Sequence, residues 1–346
     1  MKIKHFLIGV MIILLLISTQ DTFAGERKLG SSAASELLIP MGARSIGMGG
    51  ANIANVSNVE AIYWNPAGLS KLEGAEAAFS YMTYFADMNV SYATIGYNVE
   101  GVGTFGLGLQ ALDIGSIEVT TIDRPEGTGE VISPDFITLT GTFSKMLTDR
   151  IMFGVNTKLI SERIGNMSAS AVAWDFGLQY RSDINIDFGV TLKNIGSNMQ
   201  FDGTGIEFNS QVPFASPNAT TRKTKADLAS NELPTSLNMG LAYRYNINEQ
   251  NNLNVTTMYA SNSYNIDQVI GGMEYSFDNL VFLRVGYEAP LFESDSPYET
   301  DDYQYGLTFG AGVNLDVGGN TLILDYAYRD MQLFDGNNYF TLGFQF

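Results

Sequence analysis

The segment TSLNMGLAYRY, residues 235–245, decides the fold. Leu237, Met239, Leu241, Tyr243 and Tyr245 take alternate positions, with Asn238, Gly240, Ala242 and Arg244 between them. Alternate positions share a face only in an extended strand; a helix would bring together residues three and four apart. The same period recurs along the chain. In NLVFLRVGYEAP (279–290), Val281, Leu283, Val285 and Tyr287 stand against Arg284, Gly286 and Glu288. In NTLILDYAY (320–328), Leu322, Leu324, Tyr326 and Tyr328 oppose Asp325 and Ala327. AVAWDFGLQYR (171–181) sets Val172, Trp174, Phe176, Leu178 and Tyr180 against Asp175, Gly177 and Gln179. INIDFGVTLKN (184–194) sets Ile184, Ile186, Phe188, Val190 and Leu192 against Asp187, Gly189 and Lys193.

Fourteen such segments are expected, near 75–85, 89–99, 102–112, 135–147, 150–162, 168–181, 184–194, 235–246, 251–260, 267–276, 279–288, 303–315, 320–329 and 337–346. A soluble sandwich also alternates, so other features must choose. The polar faces are rich in Gly, Thr and Asn with scattered charges of both signs, as a lumen wall would be. Aromatic residues gather towards strand ends, as in interfacial girdles. Clipped turns such as EG, TD, SD and FDN alternate with long connections at 113–134, 196–234, 289–302 and 330–336. Short periplasmic turns and long extracellular loops are the outer-membrane pattern. In YFTLGFQF, Phe340, Leu342, Phe344 and Phe346 share one face, and Phe344 with Phe346 resembles the C-terminal signal of outer-membrane barrels. The expected fold is all-β, a transmembrane antiparallel β-barrel of about fourteen strands over 75–346, facing outer-membrane lipid.

Composition agrees. The chain has 36 Gly, 18 Tyr and 21 Phe in 346 residues and only 16% charged residues, too aromatic for disorder. It has no cysteine, and the single histidine is His5. His5 lies in MKIKHFLIGVMIILLLISTQDTFA, where Lys2 and Lys4 precede an apolar run from Phe6 to Ile17 and Ala24 precedes Gly25. Residues 1–24 therefore read as a Sec signal peptide, the run being too short to span a bilayer. The absence of histidine and cysteine beyond it excludes Ser-His-Asp and Cys-His catalysis and the usual zinc sites. No enzyme activity and no cofactor are expected. The formal charge of −18 becomes −19 once Lys2, Lys4 and Asp21 are removed, which excludes nucleic acid as an electrostatic partner.

Residues 25–74 do not alternate. Eight strands leave an interior just filled by side chains and sixteen leave a channel, so a lumen of fourteen needs filling. GARSIGMGGANIANVSNVEAIYWNPAGL (42–69) is small and glycine-rich, and Pro66 forces Asn65 out of helical geometry. The segment reads as a compact plug, or hatch, anchored by Tyr63, Trp64 and Leu69, with Arg44 as a charged pin. The barrel's inward charges Lys158, Asp175, Asp187, Lys193, Arg244, Arg284, Glu288 and Asp325 could form a transport path, but the stronger expectation is that they pair with one another or pin this plug, because buried charges need partners.

Residues 42–69 resemble the N-terminal motif of the PorV/PorQ family of outer-membrane proteins, through Gly42, Arg44, Gly47, Met48, Gly49, Gly50, Tyr63, Trp64, Asn65, Pro66 and Gly68. They are similar, more distantly, to the FadL family, which shares an Asn-Pro-Ala in its hatch, here Asn65-Pro66-Ala67. WDFGLQYRSDINIDFGVTLKNIG (174–196) and LPTSLNMGLAY (233–243) resemble further PorV-type blocks. The resemblance implies a 14-stranded barrel with a hatch and two functions. One is a type IX secretion component that binds secreted cargo proteins and partner components at the cell surface. The other is uptake of hydrophobic small molecules, fatty acids or aromatics, past the hatch. An uptake protein should hold an apolar pocket lined by residues such as Tyr63, Trp64 and Met48. A secretion component should display an apolar loop patch, for which 197–232 offers Phe201, Phe208 and Phe214.

Two loop features stay open between a site and a solvated surface. Glu293, Asp295, Glu299, Asp301 and Asp302 could hold calcium, although their spacing is not that of an EF-hand. Arg222, Lys223 and Lys225 form an isolated basic spot suited to phosphate or carboxylate groups.

Overall fold

In the computed structural model, residues 30–210, 222–291 and 303–346 are described. The signal segment 1–24, the start of the plug at 25–29 and the acidic run from Glu293 to Asp302 lie outside them. Fourteen long strands form one sheet: β1 (Ala75–Thr83), β2 (Asn89–Val99), β3 (Gly103–Asp113), β4 (Asp135–Met146), β5 (Ile151–Ile164), β6 (Met167–Arg181), β7 (Ile186–Gly196), β8 (Ser236–Asn246), β9 (Asn251–Asn262), β10 (Asp267–Phe277), β11 (Val281–Leu291), β12 (Tyr305–Val317), β13 (Asn320–Met331) and β14 (Asn337–Gln345). Each pairs antiparallel with the next, and β14 returns to β1 with Leu342 opposite Phe79. Closure leaves no free sheet edge. Every strand lies within three residues of its expected bounds.

The alternation has a definite sense. Leu107, Trp174, Phe176, Leu178, Phe340 and Leu342 point outward and are exposed, Leu107 by 56%. Asn156, Asp175, Gln179 and Thr191 point inward and are sealed. An apolar exterior around a polar interior inverts a soluble core and suits a lipid surround.

The lumen is filled by residues 30–74. They form 3₁₀ turns at Ser35–Leu38, Asn58–Glu60 and Pro66–Lys71 and short helices at Ala43–Gly47 and Ala61–Trp64. The second helix stops where Pro66 requires, with Asn65 extended at φ −153°. Met41, Ala43, Met48, Ile53 and Leu69 are wholly buried. The wall makes room for this plug with glycine. A Cβ on Gly177 of β6 would lie 2.2 Å from Asn65 Oδ1, and one on Gly286 of β11 would lie 2.2 Å from Gly49 N.

Two details lay beyond the alternation. The β6–β7 ladder slips between Trp174 and Phe176, with Asn194 in left-handed geometry at φ 59°. The Asp175 carboxylate replaces the missing ladder bond by accepting from Asn194 N at 2.8 Å. The long loops also carry ladders of their own, Ile117–Glu118 with Val131–Ile132 and Glu207–Ser210 with Arg222–Lys225.

Gly177→Leu tests the fit of plug to wall. Overpacking costs about 1–3 kcal/mol. The expected result is a barrel that still shifts on unheated gels, with protease cleavage newly appearing within 42–69. Unchanged protection would contradict the fit.

Candidate functional site: the plug, its seam and two cavities

The Asn-Pro corner is built by hydrogen bonds that satisfy both plug and wall. Asn65 Nδ2 donates to the carbonyls of Ile53 at 2.8 Å and of Leu178 on β6 at 3.2 Å. Its Oδ1 accepts from Ala67 N at 3.2 Å, capping the turn that follows. Wall side chains reach in to the plug's remaining carbonyls. Gln179 Nε2 donates to Ile53 and Val56, Asn156 Nδ2 to Ile62, and Ser144 Oγ to Ala67, at 2.8–3.1 Å. Trp64 Nε1 donates to the Met41 carbonyl at 2.8 Å. Each such bond is worth about 1 kcal/mol net, but a buried carbonyl left without a donor costs about 1–3 kcal/mol.

Charge supplies the second fastening. The Arg44 guanidinium grips Glu274 of β10 through Nε at 3.0 Å and Nη2 at 2.9 Å. Glu274 also accepts from Arg284 Nε of β11 at 2.6 Å, and Arg284 Nη1 reaches Asp325 of β13. The sequence suggested Arg44, Arg284 and Asp325; Glu274, their hub, was missed although it alternates inward with Ser276. Elsewhere Lys158 pairs with Asp175 at 2.8 Å, Arg244 with Asp187 at 3.2 Å, and Arg329 with Glu288. Lys193 instead lies over the Tyr63 ring, 4.0 Å from its centre.

Of the remaining motif residues, Gly42 leaves space for the Glu60 carboxylate, which accepts from Ser45 N at 2.9 Å. Gly47 packs against Gly310 and Arg284, and Gly68 lies against the Val56 carbonyl. Gly49 and Gly50 hold positive φ, 70° and 88°, with Gly50 beneath the Trp64 ring. Phe344 and Phe346 meet edge to face, and Phe346 N donates to Ala75 O, which closes the barrel's short-turn rim.

Two large cavities flank the plug. The upper chamber, about 480 Å³, lies at the long-loop end. Ser35–Pro40, Tyr63 and Trp64 of the plug line it with Leu112, Ile114, Phe136, Met258 and Ile270 of the wall, and so do the polar wall residues Lys193, Asn238, Gln268, Glu288 and Arg329. Tyr84, Phe85 and Met88 in the β1–β2 connection line it too, and Phe85 stacks on Phe334 of the β13–β14 connection at 4.9 Å. Its volume is that of a small-molecule pocket. Met48, expected beside Tyr63 and Trp64, lies away from the chamber. It is fully buried, its carbonyl against Gly272 of β10. The lower vestibule, about 420 Å³ at the short-turn end, is polar, with Arg44, Lys71, Arg181, Arg244, Asp187 and Glu274 among asparagines.

The plug's first turn carries a buried acid that the sequence did not single out. Glu36 is 3% exposed, and neither carboxylate oxygen has a hydrogen-bond donor among the described residues. Burial, then the Glu162 carboxylate on β5, push its pKa up to about 8.

A closed fourteen-strand barrel around an N-terminal plug, with a chamber of mixed polarity over it, defines a plugged-barrel architecture. Solved structures share it. One is the Ralstonia pickettii toluene transporter TbuX, 12% identical, TM-score 0.56, covering 88% of this chain and 98% of that one. The Pseudomonas putida toluene transporter TodX is 15% identical with TM-score 0.54, covering 87% and 96%. A Pseudomonas aeruginosa FadL homologue is 11% identical with TM-score 0.54, covering 88% and 98%. At these identities the likeness concerns the fold. No protein-family model and no curated protein matches the sequence.

Two outcomes are expected. Glu274→Gln strips Arg44 and Arg284 of their shared counter-charge and should lower stability by about 3–5 kcal/mol in a denaturant titration. Glu36 holds its proton more tightly docked than free. Its stabilisation is therefore full below pH 4.5 and is lost as pH rises to about 8. The midpoint of thermal unfolding should fall between pH 5 and pH 8.5, and Glu36→Gln should flatten that fall.

Proposed function

We propose that this chain is a non-enzymatic outer-membrane channel that admits hydrophobic small molecules into the upper chamber and releases them past the plug. The chamber carries the reading: a pocket of ligand size, with aromatic and aliphatic side chains set among a few polar and charged ones, placed between long surface loops and the plug. The apolar exterior supports an outer-membrane site, with the long loops facing outward and residues 1–24 serving as the Sec leader. The fold likeness to proteins described as toluene transporters and a FadL homologue supports hydrophobic solutes over other cargo. In this reading the 42–69 motif is structural: Asn65, Pro66, Arg44 and the glycines hold the plug, while Tyr63 and Trp64 face the solute.

The type IX secretion reading rests on the PorV/PorQ resemblance alone. Of the apolar loop patch it calls for, Phe208 is exposed, Phe201 packs against the cluster around Met199 and Leu233, and Phe214 lies outside the described residues.

The test uses Trp64 as a reporter. The chain has two tryptophans, so Trp174→Phe leaves Trp64 alone at the chamber. Iodobenzene should quench it saturably, and Ala260→Phe, which fills the chamber wall, should weaken that binding at least tenfold. Linear quenching, the same in both variants, would contradict the channel reading. Co-purification of secreted proteins that share one C-terminal domain would favour secretion instead.

A further inference from the structure

The lower vestibule holds more positive charge than its own carboxylates answer. Arg44, Lys71, Arg181 and Arg244 line it, against Asp187 and Glu274. Both carboxylates are already engaged. Glu274 serves Arg44 and Arg284, and Asp187 accepts from Arg244 Nη2 at 3.2 Å. Among the described residues, Lys71 Nζ has only two plug carbonyls, Asn55 at 3.3 Å and Val56 at 3.4 Å. Arg181 has no ion pair among the described residues, although Asp187 is its ladder partner. Arg244 Nε is shut off from solvent and has no acceptor among the described residues. This surplus of cations stands in a chain of net charge −18, so general basicity does not explain it.

We propose that the vestibule is an oxyanion site, binding a phosphate or carboxylate group between Lys71 of the plug and Arg181 and Arg244 of the wall. Such a group supplies what the cluster lacks, several acceptor oxygens and negative charge. The planar arginine fork matches it with paired N–H groups, and lysine adds a point charge. The bound group would tie the plug's last turn, Pro66–Lys71, to β6 and β8 and so hold the plug from the short-turn side. This site is independent of the solute assigned to the upper chamber.

The cluster also sets a pH dependence. Burial first, then the charges of Arg181, Arg244 and Arg44, lower the pKa of Lys71 to about 7, with Asp187 opposing them. Lys71 is therefore largely charged at pH 6 and largely neutral at pH 8. Anion binding should be about tenfold weaker at pH 8.

The experiment follows thermal unfolding of the full chain in neutral detergent with inorganic sulfate, a dianion at both pH values, at constant ionic strength. At pH 6, millimolar sulfate should raise the midpoint saturably, less so at pH 8. Lys71→Met and Arg181→Gln should each weaken the effect at least tenfold. Arg150→Gln, which alters an exposed pair with Asp183, should leave it intact. A parallel series in nanodiscs compares neutral lipid with added phosphatidylglycerol. Protection by sulfate alone would support the site with a free anion as its ligand, and protection by phosphatidylglycerol would support it with a lipid headgroup. Equal sulfate stabilisation in wild type, Lys71→Met and Arg181→Gln would overturn it as a general salt effect. No stabilisation in either medium would overturn it outright.

Discussion

An irregular chain sealed inside a barrel must find a donor for every backbone carbonyl it buries, and the rest of the structure follows from that constraint. Residues 30–74 have too little regular structure to satisfy themselves. The wall therefore lends Ser144, Asn156 and Gln179, and the plug lends Asn65, whose amide bonds both ways across the seam. These polar side chains cannot reach unless backbones lie nearly in contact, which is why Gly177 and Gly286 stand opposite Asn65 and Gly49. Tight packing and polar satisfaction are one requirement seen twice.

Charge adds direction to this seam. Arg44 leaves the plug from one short helix, and Glu274 binds it between Arg284 and the strands beyond. The network orients that helix against β10, β11 and β13, while the asparagine corner fixes the other flank against β5 and β6. With both flanks held, the plug divides the lumen into an aromatic-lined chamber of mixed polarity and a basic vestibule of similar size. In the proposed channel, a solute moving from one to the other has to displace groups that are paired, so passage would be coupled to breaking the seam.

Much of the barrel was legible in the sequence because strand alternation is local. Leu237 to Tyr245 announce a face without reference to any distant residue. The plug was legible by contrast, through the loss of alternation before Ala75 and the break at Pro66. The Arg44 pin could be guessed, since a charge in a small, glycine-rich segment bound for a lumen needs a partner. Its partner could not, because Glu274 lies 230 residues away and looks like any inward polar residue. The Asp175–Asn194 bulge was hidden for the same reason: it is a mismatch between two strands, and neither strand shows it alone. Glu36 escaped notice because its burial against Glu162 depends on how the first plug turn docks. Met48 was misplaced because an apolar residue in the motif can face chamber or wall, and composition does not distinguish them.

The most direct measurement of a sealed lumen is conductance across a planar lipid bilayer. The whole chain should pass no steady ionic current, because fully buried plug residues such as Met41, Ile53 and Leu69 fill the lumen. A variant lacking residues 30–74, shown by its gel shift to have formed the barrel, should open a stable pore, as an unfilled fourteen-strand lumen must. Steady current through the intact chain, or a closed barrel after the plug is removed, would contradict the claim that these residues fill and seal the lumen.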